Sequence, residues 1–471
     1  MHAEGARTRS TWALPALALG GVTYALLQSL VVPALPALER ALHTSTTGVT
    51  WIFTVFLLAT SVATPIAGRF GDMFGKKRML LVALGAVLVG SLLAAVARSL
   101  PLMLFARAVQ GLGGAVVPLS FGIVRDQFPR ERIAGAIAVV SGLLGVGGGL
   151  GIVLAGPILD HLSFHWLFWI PLASAAASFA VSAAIIPESP QRAPGDVHWL
   201  GAALLSGWLI SFLLAVSEGP SWGWTAARTV GLVAAALALA AAWVVAEVRA
   251  AHPLVDMRMM RLRVVWTTNT AAFLLGFGMY GAFLLIPQFV QTPVSAGFGF
   301  GASVTEAGLF LIPMPVAVLA FSLLGGRLSG RVGSKVPLVL GSAIAAFAFV
   351  LLTLAHTRHW HVYVGSALMG VGIGFAFAAM AHLIVDAVRR DQTGVATGMN
   401  TIVRTIGGAI GAQIAASVIA SHAAHGQPQE VGYTITFAIC AAVLVVGLAA
   451  ALAVPNLQRR PVLVLVGSEA D

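Results

Sequence analysis

The sequence predicts an all-α polytopic membrane protein with fourteen transmembrane helices. Hydrophobic residues make up 58% of the chain and charged residues 9%, whereas soluble globular proteins carry about 25% charged residues. Apolar runs of about 20 residues, each long enough to cross a bilayer as a helix, recur along the chain. The runs lack the alternation of membrane β-strands, and backbone groups in lipid must be hydrogen-bonded within their own segment, so we predict helices.

Short hydrophilic turns separate the predicted helices. The first six cover 12–35, 49–68, 79–97, 101–124, 134–157 and 166–186. Two more cover 198–217 and 227–247, and the last six cover 264–290, 304–325, 336–355, 361–385, 396–420 and 431–454. We interpret the first segment as an uncleaved helix, because the chain re-enters the membrane after it; a signal peptide is the alternative.

The distribution of Lys and Arg predicts the orientation, because these residues concentrate in short cytoplasmic loops. With the N-terminus in the cytoplasm, most of the 27 Lys and Arg residues are cytoplasmic; the exceptions are Arg40, Arg98, Arg107, Arg228, Arg358 and Arg404. An even number of crossings then places both termini in the cytoplasm. The net charge of +10 is explained by residues facing the cytoplasmic leaflet, so we expect no nucleic-acid partner.

One charged, glycine-containing turn occurs twice. The stretch GRFGDMFGKKRML begins at Gly68, and GRLSGRVGSKVPL begins at Gly326. Both turns are predicted on the cytoplasmic side, and a turn that recurs in one orientation indicates a parallel repeat. The chain is therefore divided into a six-helix bundle (1–190), an inserted helix pair with its cytoplasmic linkers (191–263), and a second six-helix bundle with a short cytoplasmic tail (264–471).

The first turn resembles the signature loop of the major facilitator superfamily, and the order of six, two and six helices resembles its fourteen-helix drug:proton antiporter branch. The stretch RAVQGLGGA from Arg107 is similar to the fourth-helix motif of the family. GGGLGIVLAG from Gly147 is similar to the antiporter motif of the fifth helix, although Ile152 stands where that motif has proline. HPLVDMRMMR and MNTIVRTIGGAIG are also typical of the branch.

The resemblance implies that the first turn forms a cytoplasmic latch, which holds the two halves together in one state and releases them in another. The latch residues are Gly68, Asp72, Gly75, Lys76, Lys77, Arg78 and Asp126. The glycines allow close helix approach, Asp72 favours a helix N-terminus, and the basic side chains can pair with acids such as Asp126. The alternative is an ordinary positively charged cytoplasmic turn.

Polar residues inside the predicted helices are candidates for the transport path. An isolated charge such as Arg107 costs about 2.5–3.5 kcal/mol at the bilayer centre. The family motif favours a buried arginine that binds backbone carbonyls and helps to move protons or substrate, while snorkelling to the outer interface is the alternative. The same path is predicted to include Gln110, Gly111, Gln28, Asn269 and Arg404. Gln28 and Asn269 are equally consistent with helix–helix hydrogen bonds.

Glycines recur in the fifth and thirteenth predicted helices, where small residues four apart allow close helix packing. We expect these two helices to line the interface at which the halves move, through Gly147, Gly151, Gly156, Gly407 and Gly411. The glycine run of the fifth helix lies in an apolar span and lacks GKS or GKT, so it is not a nucleotide loop.

By the predicted boundaries, no Asp or Glu lies midway through a helix, and Leu27 stands where the branch usually has an aspartate. A buried carboxylate is the usual proton carrier and the usual partner of a cationic drug. We therefore expect neutral, zwitterionic or anionic substrates, with Arg107 favouring negative charge.

Together these patterns predict a secondary transporter that exports small amphiphilic compounds across the plasma membrane, driven by protons. It is expected to be monomeric, with no cofactor and no metal. The sequence offers no nucleophile–base set, so no enzyme is predicted. Two alternatives stay open: a transporter of lipids or lipid-linked compounds, and a membrane receptor or scaffold that does not transport.

Overall fold

The computed structural model describes residues 2–189, 196–424 and 427–455. Thirteen of its helices are long and apolar enough to cross a membrane, and a shorter apolar stretch, Ala13–Ser29, lies in the first helix. The predicted helical membrane fold is confirmed, and these segments follow the predicted order. Part of the predicted linker (190–195) and the predicted cytoplasmic tail (456–471) lie outside the described residues.

The first half contains eight helices that build six spans. They are α1 (His2–Ser29), α2 (Leu35–Ala41), α3 (Thr46–Phe74), α4 (Lys76–Ala95), α5 (Leu100–Gly111), α6 (Val116–Gln127), α7 (Arg130–His161) and α8 (Trp166–Ile185). A 3-10 turn joins α5 and α6 into one span, and α2 is a short helix between the first two spans. The inserted pair is α9 (Trp199–Trp222) and α10 (Ala227–Arg249).

The second half repeats this plan. Its helices are α11 (Met257–Met260), α12 (Arg263–Gln291), α13 (Val304–Leu311), α14 (Pro313–Val332), α15 (Lys335–Leu354), α16 (His359–Ala387), α17 (Thr393–Ser421) and α18 (Glu430–Ala453). Helices α13 and α14 form one span. Two short antiparallel strands, β1 (Ala423–Ala424) and β2 (Gln427–Pro428), connect α17 to α18.

Several predicted helix ends are wrong, among them the one predicted at residue 325, since α14 continues to Val332. The first helix was predicted to reach residue 35 but ends at Ser29, because Pro33 lacks an N–H and disfavours helical backbone in the residue before it. The latch was predicted as a turn after residue 68, but α3 continues to Phe74 and only Gly75 separates it from α4. Gly75 has a φ of +116°, a conformation that glycine adopts without steric cost.

The two halves meet along two seams. In the first, α3 packs against α17, and in the second, α7 packs against α13 and α14. The inserted pair lies beside the first seam, since α9 contacts both α3 and α17 while α10 packs on α9. A hydrogen bond of 3.0 Å between the hydroxyls of Thr54 and Ser217 fixes α9 to α3.

Candidate functional site

Asp72 joins the two halves at the end of the first seam that is predicted to be cytoplasmic. Its carboxylate is fully buried and accepts the backbone N–H groups of Gly394 (3.2 Å) and Val395 (3.1 Å). Both amides belong to the first turn of α17, where N–H groups lack partners within the helix and the dipole favours negative charge. The predicted role of Asp72 at a helix N-terminus is therefore observed, and that helix belongs to the opposite half.

Lys76 is the basic latch residue that pairs with Asp126. Its ammonium lies 2.7 Å from the Asp126 carboxylate and 3.7 Å from that of Asp72, and all three side chains are buried. The same ammonium donates to the carbonyl of Arg390 (3.4 Å) in the second half. A buried charge is stable only when it is paired and hydrogen-bonded, so these contacts explain how Lys76 is accommodated.

The other two basic latch residues do not contact Asp126. The Lys77 ammonium donates to the carbonyl of Ala183 (2.8 Å), and Arg78 pairs with Glu188 at 3.6 Å. Glu188 also accepts the backbone N–H groups of Lys77 (3.0 Å) and Arg78 (3.2 Å), so it caps α4. The sequence analysis did not identify Glu188, which follows Pro187 just beyond the end of α8.

Arg125 is a second contact between the halves that the sequence analysis missed. Its guanidinium donates to the carbonyls of Val388 (2.7 Å) and Arg389 (3.0 Å) and to the hydroxyl of Thr393 (2.6 Å). These groups end α16 and begin α17, so Arg125 fixes the second half beside the Asp72 contact. A basic residue in the last turn of α6, next to Asp126, was the available signal.

Glycine at position 68 permits the close approach of α3 and α17. A Cβ added at Gly68 would lie 2.7 Å from the carbonyl oxygen of Gly394, and a Cβ at Gly394 would lie 2.6 Å from that of Gly68. Real Cβ atoms essentially never come so close to backbone oxygens. In the second copy of the repeat, Gly326 approaches Ala134 and Ala138 of α7 in the same way, at the other seam.

Arg107 is buried within the first half and binds backbone carbonyls. Its guanidinium donates to the carbonyls of Ile52 (3.1 Å) and Leu27 (3.4 Å) and to the side-chain oxygen of Gln110 (2.8 Å). It also lies 4.1 Å from the centre of the Phe56 ring. The side chain is fully buried, so the structure supports the predicted carbonyl contacts rather than snorkelling. Its role in proton or substrate movement stays a prediction.

Two neighbours of Arg107 complete its surroundings. The Gln110 amide donates to the hydroxyl of Ser91 (3.0 Å), which orients its oxygen towards Arg107. Gly111 lies against the backbone of α3, where an added Cβ would be 2.9 Å from the carbonyl oxygen of Phe56. These contacts hold α3, α4 and α5 together around the arginine.

Gln28 and Asn269 form hydrogen bonds between helices. Gln28 donates to the hydroxyl of Tyr280 at 3.0 Å and so connects α1 of the first half to α12 of the second. Asn269 accepts from the amide of Asn400 at 2.9 Å, which connects α12 to α17 within the second half. Of the two interpretations that the sequence left open, the structure thus supports helix–helix contacts for both residues.

Arg404 lines a cavity between the two halves. The cavity walls come from α6 and α7 on one side and α16 and α17 on the other; they are Val117, Phe121, Ser141, Leu144, Phe377, Ala381, Thr397, Asn400, Thr401 and Arg404. The cavity volume is about 10 Å³, which is room for about one water molecule. The halves are therefore closely apposed in this conformation.

Four of the five predicted interface glycines lie away from the interface between the halves. Gly147 and Gly151 face Val22 and Ser29 of α1, and Gly407 and Gly411 face α12 at Phe273 and Phe277. These four glycines pack within their own halves. Only Gly156 lies between the halves, against Thr305 of α13. The second seam is formed instead by Gly142, Gly145 and Gly149, which contact Ser322, Val318 and Pro315 of α14.

The outer end of the second seam is also closed. The Thr305 hydroxyl of α13 donates a hydrogen bond of 3.0 Å to the Asp160 carboxylate at the end of α7. Since Asp72 and Arg125 bridge the halves at the opposite end of the molecule, the halves touch at both faces. In this conformation, polar contacts therefore join the two halves near both ends of the molecule.

Comparison with known proteins identifies the family. The model of the Major Facilitator Superfamily matches residues 17–412 and, in a second match, 271–464. A Mycobacterium tuberculosis protein, the uncharacterised MFS-type transporter Rv1877, is 30% identical over 392 residues, which are 81% of the chain. The match covers 55% of that relative, so the chain spans about half its length.

Two further proteins are similar. The tetracenomycin C resistance and export protein of Streptomyces glaucescens is 29% identical over 403 residues, covering 84% of the chain and 73% of the relative. The crystal structure of the human organic anion transporter MFSD10 (TETRAN) superimposes with a TM-score of 0.68 over 94% of the chain and 99% of that protein. Its identity is 18%, so the likeness concerns the fold.

Proposed function

Because the chain belongs to the Major Facilitator Superfamily and is a multi-pass membrane transporter of that family, we propose that it exports small amphiphilic compounds across the plasma membrane in exchange for protons. Its substrates are neutral, zwitterionic or anionic. The Streptomyces glaucescens relative named as a tetracenomycin C resistance and export protein supports the export of a small compound. The proposed transporter acts as a monomer, with substrate and protons as its partners in the bilayer.

The observation that carries the proposal is the pair of seams between two similar halves. One seam is closed by Asp72 and Arg125 at the cytoplasmic end, and the other by Asp160 and Thr305 at the outer end. These polar contacts can break while the helices of each half stay packed. Alternate breaking of the two ends would expose the central cavity first to one side and then to the other.

A flux assay in reconstituted vesicles tests this function. Purified protein is placed in sealed vesicles with an imposed pH gradient, and uptake is measured for a panel of matched neutral, acidic and basic amphiphiles. Uphill accumulation that stops when an ionophore collapses the gradient is expected. Accumulation that ignores the gradient would contradict proton coupling, and flux no greater than in protein-free vesicles would contradict transport itself.

A further inference from the structure

The cavity between the halves lies at the depth where a transported compound must be held. At a rise of 1.5 Å per residue, Arg404 lies roughly 16 Å from the start of α17 at Thr393. That is about half of the 30 Å hydrocarbon core. Transporters of repeated halves place their substrate site near the bilayer midplane at the interface of the repeats, and this cavity is bounded by helices of both halves.

Arg404 gives this cavity a positive charge without a protein carboxylate beside it. Its guanidinium lies 4.4 Å from the centre of the Phe377 ring. Among the described residues, none of the ion pairs within 4.0 Å involves Arg404.

Arg107 has a different environment and is not among the residues that line the cavity. It donates to two backbone carbonyls and to Gln110, and its side chain is fully buried inside the first half. Arg404 instead forms part of the cavity wall. We therefore expect Arg404, and not Arg107, to favour a negatively charged substrate.

A second polar group faces the same cavity from the opposite half. Ser141 of α7 lines the cavity and is 2% exposed, and its hydroxyl oxygen has no hydrogen-bond partner among the residues that the structure describes. A buried hydroxyl without a partner costs free energy. A carboxylate in the cavity would accept a hydrogen bond from the Ser141 hydroxyl. The remaining wall near Ser141 is apolar, with Phe121 and Leu144.

From these contacts we propose that the cavity binds the carboxylate of an anionic amphiphile, with Arg404 as its ion-pair partner and Ser141 as a hydrogen-bond donor. Phe121 and Leu144 contact the apolar body of the compound. This inference rests on the proposed transport function and narrows its substrate class. The closed cavity has room for about one water molecule, so the compound enters when the halves separate and the cavity widens.

Matched binding measurements test the inference. The protein is purified into nanodiscs, and equilibrium dialysis gives the affinities of radiolabelled 1-naphthoic acid, 1-naphthamide and 1-naphthylmethylamine. The wild-type protein is expected to bind the acid at least tenfold more tightly than the amide, and the amine most weakly. The variant Arg404→Gln should lose the preference for the acid and keep the affinity for the amide, while Arg404→Lys should retain part of the preference.

Two further variants complete the experiment. Ser141→Ala should weaken binding of the acid about tenfold and leave the amide unchanged. Arg228→Gln is the matched control, because Arg228 also stacks on an aromatic ring, 4.5 Å from Trp222, but is exposed and distant in the chain from the cavity helices. If Arg404→Gln fails to elute as a single species in size-exclusion chromatography, Arg404→Lys and Ser141→Ala carry the test.

Failure of this inference and failure of the transport function give different results. A folded Arg404→Gln protein that still prefers the acid tenfold would overturn the inference. So would a wild-type protein that moves the amide or the amine through vesicles but binds the acid no more tightly than the amide. A wild-type protein that moves none of the three compounds would overturn the transport function and the inference with it.

Discussion

Replacing Asp72 with Asn should open the cytoplasmic end of the first seam. The Asp72 carboxylate accepts two backbone N–H groups of α17, at 3.2 and 3.1 Å, from a fully buried position. The Asn side chain keeps one acceptor oxygen, but its NH₂ group faces the second N–H and cannot accept from it. Lys76 keeps its closer partner Asp126, at 2.7 Å, so the first half should stay folded.

The size of the effect follows from the two contacts. Hydrogen bonds to charged groups contribute about 1.5–3 kcal/mol each. The Asn variant loses one of them and makes the other neutral, so the closed conformation should be destabilised by about 2–3 kcal/mol. Since 1.4 kcal/mol changes an equilibrium tenfold, the ratio of open to closed molecules should rise roughly 30- to 140-fold.

Distances between spin labels on the two halves measure this ratio. Labels are attached to cysteines at Phe74 and Val332, which are 48% and 57% exposed near the cytoplasmic ends of α3 and α14. The single native cysteine, Cys440, is buried and is replaced by Ser. Asp72→Asn should add a population with longer distances and reduce transport, while the amount of protein in the membrane stays the same.

Asp391→Asn is the matched control for this experiment. Asp391 is also a carboxylate next to α17, but it pairs with Arg389 at 3.3 Å, and the Arg389 side chain is 71% exposed. Exposed ion pairs contribute about 0–1 kcal/mol, so this variant should behave like the wild type. Equal distance distributions and equal transport in the Asp72→Asn and wild-type proteins would refute the claim that the Asp72 contacts hold the two halves together.

Three further changes follow from the contacts described. Arg107→Ala leaves two buried carbonyls without their donor and should lower the free energy of unfolding by about 3 kcal/mol. Thermal unfolding should show a larger loss of stability for Arg107→Ala than for Arg404→Ala, and a larger loss for Arg404→Ala would contradict this prediction. Gly394→Val places atoms against the Gly68 carbonyl and should abolish most transport at normal abundance, whereas Gly135→Ala, which has open space around it, should not; vesicle flux compares them. Tyr280→Phe removes the acceptor of the Gln28 bond between the halves and should raise the open population about threefold to tenfold in the spin-label assay; an unchanged population would exclude that bond as a contribution to closure.

The sequence was sufficient to predict the helical membrane fold, the order of its spans and several contacts of the latch. Asp72 was expected at a helix N-terminus and lies at one. The identity of that helix could not be predicted, because Gly394 and Val395 are more than 300 residues further along the chain. Local sequence carries the preference of a carboxylate for free N–H groups, but only the tertiary fold decides which helix supplies them.

The basic latch residues Lys76, Lys77 and Arg78 lie in α4, which was predicted to begin at residue 79 but begins at Lys76. Because α4 begins at Lys76, directly after Gly75, successive side chains point about 100° apart around its axis. Lys76 consequently faces Asp126 in α6, whereas Lys77 contacts the end of α8 and Arg78 pairs with Glu188. A prediction that treated all three residues as one flexible turn could not separate these partners.

The glycines of α7 illustrate a second limit of sequence analysis. Gly147 and Gly151 are one helical turn apart and face α1, while Gly145 and Gly149, also one turn apart, face α14. Residues four apart share a helix face, so both pairs fit the same small-residue pattern. The pattern predicts close packing on each face correctly, but it does not tell which face belongs to the opposite half.

Reversible cross-linking of the second seam tests most directly whether the two halves must separate for transport. A Cβ added at Gly156 lies 3.3 Å from that of Thr305, close to the Cβ separation of about 3.5–4.5 Å in disulfides. In the Cys440→Ser background, cysteines at both positions should form a disulfide that stops vesicle flux, and reduction should restore it; each single-cysteine variant should stay active under oxidation. Full flux through protein whose cross-link is complete would show that transport proceeds without separation of this seam, and would contradict the account.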